Sequence, residues 1–313
     1  MSLTIGIDVG GTKIAGGVVD EHGRVIDERR VISPARDAGA IEDAIAGLVA
    51  DLRRLHEVAA VGVGAAGYVD SSRSVVMFAP NLAWRDLDLR ADLEARVDLP
   101  VVIENDANAA AWGEFAFGAG EDVDDLLLVT VGTGVGGGLV LGGRLHRGAF
   151  GVAAEVGHMR VVPDGRLCGC GNRGCFEQYG SGSALVRGAR EEAVAGSLLA
   201  RDLVDRAGGD PAQITGPLIT EAARDGDAFA VEQLRVLGQW LGEGIASLAA
   251  VLDPAVTVVG GGVSLAGDLL LDPIRTAFER QLSARGHRQV MEIRGALLGN
   301  RAGLIGAADL ARS

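Results

Sequence analysis

The stretch that decides the fold opens the chain: Leu3-Thr4-Ile5-Gly6-Ile7-Asp8-Val9-Gly10-Gly11-Thr12-Lys13-Ile14-Ala15-Gly16-Gly17-Val18-Val19. Leu3, Ile5 and Ile7 alternate with small or polar residues, a period of two that predicts a strand. Gly10-Gly11-Thr12 makes the turn, and Ile14 to Val19 returns as a second strand. Glycines placed directly after a strand let backbone N–H groups approach phosphate oxygens that a Cβ would obstruct. Asp8 is placed to meet a phosphate-bound Mg²⁺, directly or through water. Thr12 offers a hydroxyl, and Lys13, the one lysine among 29 basic residues, a compact cation. A plain hairpin turn accounts for this segment alone equally well. The spacing of a Walker A loop, G-x₄-G-K-[ST], occurs nowhere in the chain.

Working outward, Arg24 to Ser33 reads as a strand with its turn. A helix follows, with Ile41, Ala44, Ile45, Leu48, Val49, Leu52 and Leu55 at helical spacing and charged residues opposite. Val58 to Val63 and Leu99 to Ile103 are further strands, the latter leading into a helix from about Asp106 to Phe115. Near Leu126 a second unit of apolar strand, glycine turn and apolar strand begins, a weak internal repeat of the opening. Its loop, Gly132-Thr133-Gly134 with Thr130 before it, is a second candidate phosphate site. Helical stretches over Ser183–Ala207 and Ile219–Leu252 lead to an apolar strand, Val256 to Val259. The third glycine loop, Gly260-Gly261-Gly262, is then free to pass close under an adenine or ribose. Strands mixed with crossover helices mean an α/β fold. Two glycine-turn hairpins suggest a nucleotide held in a cleft between lobes.

Two segments match G-x-G-x-x-G, but neither has the strand-to-helix context of a dinucleotide site. Gly62 to Gly67 runs into Tyr68-Val69-Asp70-Ser71-Ser72, a turn, and Gly132 to Gly137 runs into Leu139-Val140-Leu141, a strand. Leu126 to Gly143 is uncharged over a length that meets the crude test for a membrane span. Its seven glycines are better read as two short strands around a turn. A net charge of −13 argues against a nucleic-acid or anionic-membrane surface. Met1-Ser2-Leu3-Thr4-Ile5 shows no signal-peptide pattern, so the expected location is the cytoplasm.

All three cysteines lie in Cys168-Gly169-Cys170-Gly171-Asn172-Arg173-Gly174-Cys175, with His158 ten residues upstream. Three thiolates and an imidazole form a tetrahedral, closed and therefore structural zinc site. A C-x-C disulfide is strained, and a cytoplasmic protein keeps its thiols reduced.

The acid–base candidate lies in Glu104-Asn105-Asp106-Ala107-Asn108, where a strand meets a helix. Asp106 is placed to take the proton from an attacking hydroxyl, the base that phosphoryl transfer asks for. Asp at such a junction also serves as an N-cap. A helix N-terminus weakens a carboxylate as a base, and burial strengthens it.

With these residues assembled, the chain resembles the ROK family of sugar kinases and repressors, and within it the bacterial ROK glucokinases. The resemblance runs essentially end to end. It is carried by Asp8-Val9-Gly10-Gly11-Thr12-Lys13, by Glu104-Asn105-Asp106-Ala107-Asn108, by Glu155-Val156-Gly157-His158 and by the cysteine segment continued through Phe176-Glu177. It implies an actin-like ATPase (ribonuclease H-like) fold of two lobes with a nucleotide and sugar cleft. The small lobe would comprise residues 1–117 and 299–313, with a C-terminal helix returning to it, and the large lobe residues 118–298. It implies Asp106 as catalytic base, with Gly67, Asn81, Asn105, Glu155, His158 and Glu177 about the sugar. ATP with Mg²⁺ would be the donor, Zn²⁺ a structural ion, and the assembly a homodimer or homotetramer. Glucose is the favoured hexose; fructose, mannose or an N-acetylhexosamine, a polyphosphate donor and a non-catalytic sugar sensor are the alternatives. The phosphate-binding strand begins at Leu3, where the family's repressors would carry a DNA-binding winged helix.

Overall fold

A computed structural model describes residues 2–312. The chain runs β1 (Leu3–Val9), β2 (Lys13–Val19), β3 (Val25–Ile32), α1 (Ala38–Arg53), β4 (Val58–Ala65), β5 (Tyr68–Val69), β6 (Val75–Phe78), β7 (Arg85–Asp88), α2 (Leu89–Val97), β8 (Val101–Asn105) and α3 (Asp106–Phe117). It continues through β9 (Leu126–Val131), β10 (Val135–Leu141), β11 (Arg144–Leu145), α4 (Glu177–Gly180), α5 (Gly182–Val194), α6 (Arg201–Arg206), α7 (Gly216–Arg224), α8 (Ala228–Leu252), β12 (Val256–Gly260), α9 (Asp268–Gln281), β13 (Glu292–Gly295) and α10 (Ala302–Leu310). The first sheet has the order β3-β2-β1-β4-β8 and the second β11-β10-β9-β12-β13, while β5-β6-β7 form a small third sheet.

In the first sheet β1, β4 and β8 are parallel, so their C-terminal ends lie side by side. Asp8 pairs with Gly64, and Gly64 with Glu104. The alternation read in the opening strand separates its two faces. Ile5, Ile7 and Val9 are fully buried in a core shared with Ile41, Ile45 and Leu52 of α1 and with Leu89 and Leu93 of α2. The opposite face is built of small residues because α10 lies directly on it. Thr4 Oγ1 donates to the Ala308 carbonyl at 2.8 Å. A Cβ on Gly6 would stand 1.9 Å from the Leu304 carbonyl oxygen, and one on Gly62 1.8 Å from that of Ala307. Only glycine admits this approach. Gly62→Ala is therefore expected to destabilise the protein by about 3 kcal/mol through forced separation of β4 and α10, measured as a lower denaturant midpoint.

The chain divides into two compact units, one of Met1–Leu128, Gly137–Ala154 and Leu297–Ser313, the other of Val129–Gly136 and Glu155–Ala296. The expected large lobe, residues 118–298, differs from this division by including 118–128, 137–154 and 297–298. Gly138 shows the reason: a Cβ there would lie 2.7 Å from the Ala107 carbonyl oxygen and 2.4 Å from the Ala111 Cβ, both on α3. At Gly138, β10 thus packs directly on the helix that begins with Asp106.

The two long helical stretches expected after Ser183 are each broken in two. Gly196, at a φ of +82°, ends the first segment, and Gly226, at +89°, separates α7 from α8. Asp227 then caps α8 by accepting from Ala230 N at 2.7 Å. Leu126 to Gly143 forms β9 and β10, and among the described residues no helix is long and apolar enough to cross a membrane. Gly62–Gly67 passes from β4 into β5, without the helix a dinucleotide fingerprint needs.

Candidate active site

In the first unit the candidate residues gather at the C-terminal ends of β1, β4 and β8, the edge where open α/β sheets bind ligands. The turn after β1 is closed by Gly10 N donating to the Lys13 carbonyl at 3.0 Å, with Gly11 half-buried and Thr12 and Lys13 exposed. Burial pushes the Asp8 carboxyl above its ordinary value, partly offset by the nearby Lys13 ammonium. A Cβ at Gly303, in the first turn of α10, would stand 3.6 Å from the Asp8 carboxyl and 3.8 Å from the Asp106 carbonyl oxygen. Asn81, between β6 and β7, is exposed, and its Cβ lies 3.4 Å from where a Cβ on Gly11 would be.

The cap of α3 is Asn105, not Asp106. Asn105 Oδ1 accepts from Asn108 N at 2.9 Å, which leaves Asp106 as the first helical residue. Asn105 Nδ2 donates to the Gly67 carbonyl at 3.0 Å and to Asp106 Oδ1 at 3.2 Å, so one amide ties the loop after β4 to the candidate base. Gly67 is held close: a Cβ there would meet the Phe78 carbonyl oxygen at 2.7 Å.

In the second unit, one ligand atom each from His158, Cys168, Cys170 and Cys175 lies within 4.8 Å of every other. Cys170 Sγ and Cys175 Sγ are 3.6 Å apart, and Cys168 Sγ is 3.7 Å from His158 Nδ1. Tetrahedral ligands about 2.3 Å from an ion lie about 3.8 Å from each other, so the donor set and its spacing fit zinc. Burial pushes the Cys168 and Cys175 thiols up. For Cys170 the same burial is outweighed by the Asn172 N–H and the neighbouring thiols, and its thiol is lowered.

Around this cluster stand the other polar candidates. His158 Nε2 lies 4.0 Å from Glu155 Oε2. Burial raises the Glu155 carboxyl, the Glu177 carboxylate adds to the rise, and His158 opposes it. Cys168 Sγ donates to Glu177 Oε1 at 2.9 Å, while a Cβ on Gly134 would sit 2.7 Å from Glu177 Oε2. Glu177 therefore joins the cysteine cluster to the second glycine loop.

That loop borders a cavity of about 1380 Å³ lined by Gly132, Thr133, Gly182, Val186, Pro217 and Gly262 among others. Gly182 N donates to the Gly132 carbonyl at 2.8 Å, fixing the loop against the start of α5. Gly261 holds a φ of +86° with a Cβ position 2.5 Å from the Val131 carbonyl oxygen, so β12 turns directly beneath β9. Gly262 faces the cavity, whereas Gly260 is buried at the end of β12 and Thr130 lies within β9. The walls from α5 and α7 were not identifiable in the sequence, since Val186 and Pro217 carry no motif.

The chain belongs to the ROK family, which it matches over residues 4–313. It is 54% identical over 312 residues to the glucokinase of Streptomyces coelicolor, an alignment covering 100% of this chain and 98% of that protein. The crystal structure of a ROK family glucokinase from Streptomyces griseus in complex with glucose and AMPPNP is similar with a TM-score of 0.92 at 55% identity, covering 99% of each chain. The ROK hexokinase of Thermus thermophilus is similar with a TM-score of 0.79 at 34% identity, covering 99% of this chain and 98% of that one. The fold is the actin-like fold of these sugar kinases.

Proposed function

We propose that this chain is an ATP-dependent glucokinase, moving the γ-phosphoryl group of ATP to glucose and releasing glucose 6-phosphate. The observation that carries the reading is the end-to-end similarity, at 55% identity, to a glucokinase solved with glucose and AMPPNP.

Asp106 is the base in this reading. It accepts the proton of the attacking sugar hydroxyl as the oxygen bonds to phosphorus and ADP leaves. The cap made by Asn105 supports the assignment, because Asp106 is relieved of that duty. Both hydrogens of Asn105 Nδ2 are engaged, by Gly67 and Asp106, and one Oδ1 lone pair by Asn108. Asn105 therefore meets a sugar hydroxyl as an acceptor. Asn81, Gly67, Glu155, His158 and Glu177 are the remaining sugar contacts.

Phosphoryl transfer rests on positioning and charge neutralisation. Gly10, Gly11, Thr12 and Lys13 serve the phosphates. Thr130, Gly132, Thr133 and Gly134, with Gly260, Gly261 and Gly262, serve the nucleotide. The desolvated Asp8 carboxyl suits Mg²⁺ of the Mg²⁺–ATP substrate, since a divalent cation compensates the burial of its charge. His158, Cys168, Cys170 and Cys175 hold zinc, which supplies folding energy and fixes the His158 tautomer. Nδ1 is the nitrogen turned to the cysteines, which leaves Nε2 for the sugar side.

The test is sugar-dependent ADP formation with Mg²⁺–ATP across glucose, mannose, fructose and N-acetylated hexosamines. The expected result is the highest kcat/KM on glucose. A higher value on another hexose would move the substrate, and no turnover by folded protein would replace the kinase with a sugar sensor.

A further inference from the structure

The mechanism uses Asn105 and Asp106 but leaves the residue before them without a role. Glu104, next to last in β8, is 2% exposed. A carboxylate buried to that degree needs charged or hydrogen-bonding partners. Oε1 accepts from Asn105 N at 3.2 Å and from Asn108 Nδ2 at 3.1 Å. These are the two residues whose mutual hydrogen bond forms the cap around Asp106. Oε2 accepts from Arg147 Nε at 2.7 Å, with Arg73 Nε 3.7 Å away.

Both arginines reach Glu104 from distant loops of the same unit. Arg73 sits in the turn before β6 at a φ of +60°, in the left-handed region. Its carbonyl accepts from Ile103 N at 3.3 Å, and its Nη2 donates to the Leu310 carbonyl at 3.2 Å. Arg147 follows β11, and its carbonyl accepts from Ala153 N at 3.0 Å. The same two loops touch each other: a Cβ at Gly151 would stand 2.4 Å from the Val69 carbonyl oxygen. A buried ion cluster is weak as a source of stability, because apolar residues of equal volume do as well. What it provides is a fixed geometry, here at the turn that aims Asp106.

We propose that Glu104 is a positioning residue for Asp106, holding the base-bearing turn with one carboxylate oxygen and tying it to Arg73 and Arg147 with the other. The inference rests on the reading of Asp106 as the base. Displacing a reacting group by about 1 Å costs on the order of 10²-fold in rate. Glu104→Gln keeps the side-chain shape but turns a donor toward the arginines. Its kcat for glucose phosphorylation is expected to fall about 10-fold or more, with glucose affinity by calorimetry changing less than about threefold. Glu104→Asp keeps the charge but lacks the reach to serve both sides. It is expected to stay as slow as Glu104→Gln, whereas a role in charge balance alone would restore the rate.

A Glu104→Gln kcat within about twofold of the parent, recovery by Glu104→Asp, or a loss of glucose affinity matching the loss of kcat would each overturn the proposal. Should the Glu104 variants not fold, Arg147→Met leaves the contacts to the turn and removes one anchor. A fall in kcat of about threefold or more at unchanged glucose affinity is then expected, and an unchanged kcat overturns the proposal. Asp106→Asn, measured alongside, separates the two readings. Full turnover in that variant removes the base assignment itself; its loss, with Glu104→Gln unaffected, removes only the role of Glu104.

Discussion

Replacing Asp106 by Asn is expected to lower kcat by about 10²-fold or more while glucose affinity changes by less than about threefold. The substitution preserves the size of the side chain and its place as first residue of α3, so the cap made by Asn105 and Asn108 survives. The proposed acceptor for the hydroxyl proton disappears. An interaction made only as that proton leaves contributes to kcat and not to substrate binding, which is why the two readouts should separate. The contact from Asn105 Nδ2 to Asp106 Oδ1 also survives if the new amide presents its oxygen. Single-turnover assays with Mg²⁺–ATP, read against calorimetric glucose binding, check the split. Unchanged turnover would remove Asp106 as the base; an equal loss in affinity and kcat would make it a binding residue instead.

The same turn shows how far sequence carries such an argument. The strand–helix junction at Asn105-Asp106 was legible because the apolar run ending at Ile103 gives way there to polar residues and then to an alanine-rich stretch. Which of the two residues caps the helix was not, since Asn and Asp are equally good caps and a shift of one residue decides it. The cysteine cluster was legible in full because its donors lie within eighteen residues, at spacings few other chemistries require. Glu104 was part of a visible motif, but Arg73 and Arg147 lie 31 and 43 residues away. No local pattern marks them among the chain's many arginines. The first strand was readable from its alternation, while the need for Gly6 and Gly62 came from α10, some 300 and 245 residues further on. Helix breaks at Gly196 and Gly226 were missed for a different reason: an isolated glycine inside an apolar repeat is tolerated in helices, and only a positive φ shows that it ends one.

Loss of the proposed zinc should have the largest effect on stability. Cys170→Ser, or exhaustive chelation of the parent, is expected to remove one zinc per chain and lower Tm by about 10 °C, given metal-binding energies on the order of 10 kcal/mol in small zinc domains. The segment at risk is a glycine-rich knuckle whose own backbone bonds are those of turns and isolated bridges. Among them are Cys168 N to the Asn172 carbonyl at 2.8 Å, Val161 N to the Gly174 carbonyl at 2.9 Å and Phe176 N to the Met159 carbonyl at 2.8 Å. Without four ligands on one ion, the buried Cys168 and Cys175 revert to thiols whose protonation is favoured by their surroundings. His158 loses the bond that fixes its ring, and Glu177, in contact with Cys168 and packed against Gly134, loses its anchor. The damage should therefore reach function as a glucose KM raised about tenfold, larger than the change in kcat, because the residues displaced are those proposed to bind the sugar and not the one proposed to accept its proton. Asp106 and its cap lie in the other unit and keep their own hydrogen bonds. Plasma-emission metal analysis of the parent and of Cys170→Ser, paired with steady-state kinetics, makes the check. A parent protein with full activity and no zinc would end the assignment, and a metal-free variant with an unchanged glucose KM would confine the ion to the knuckle alone.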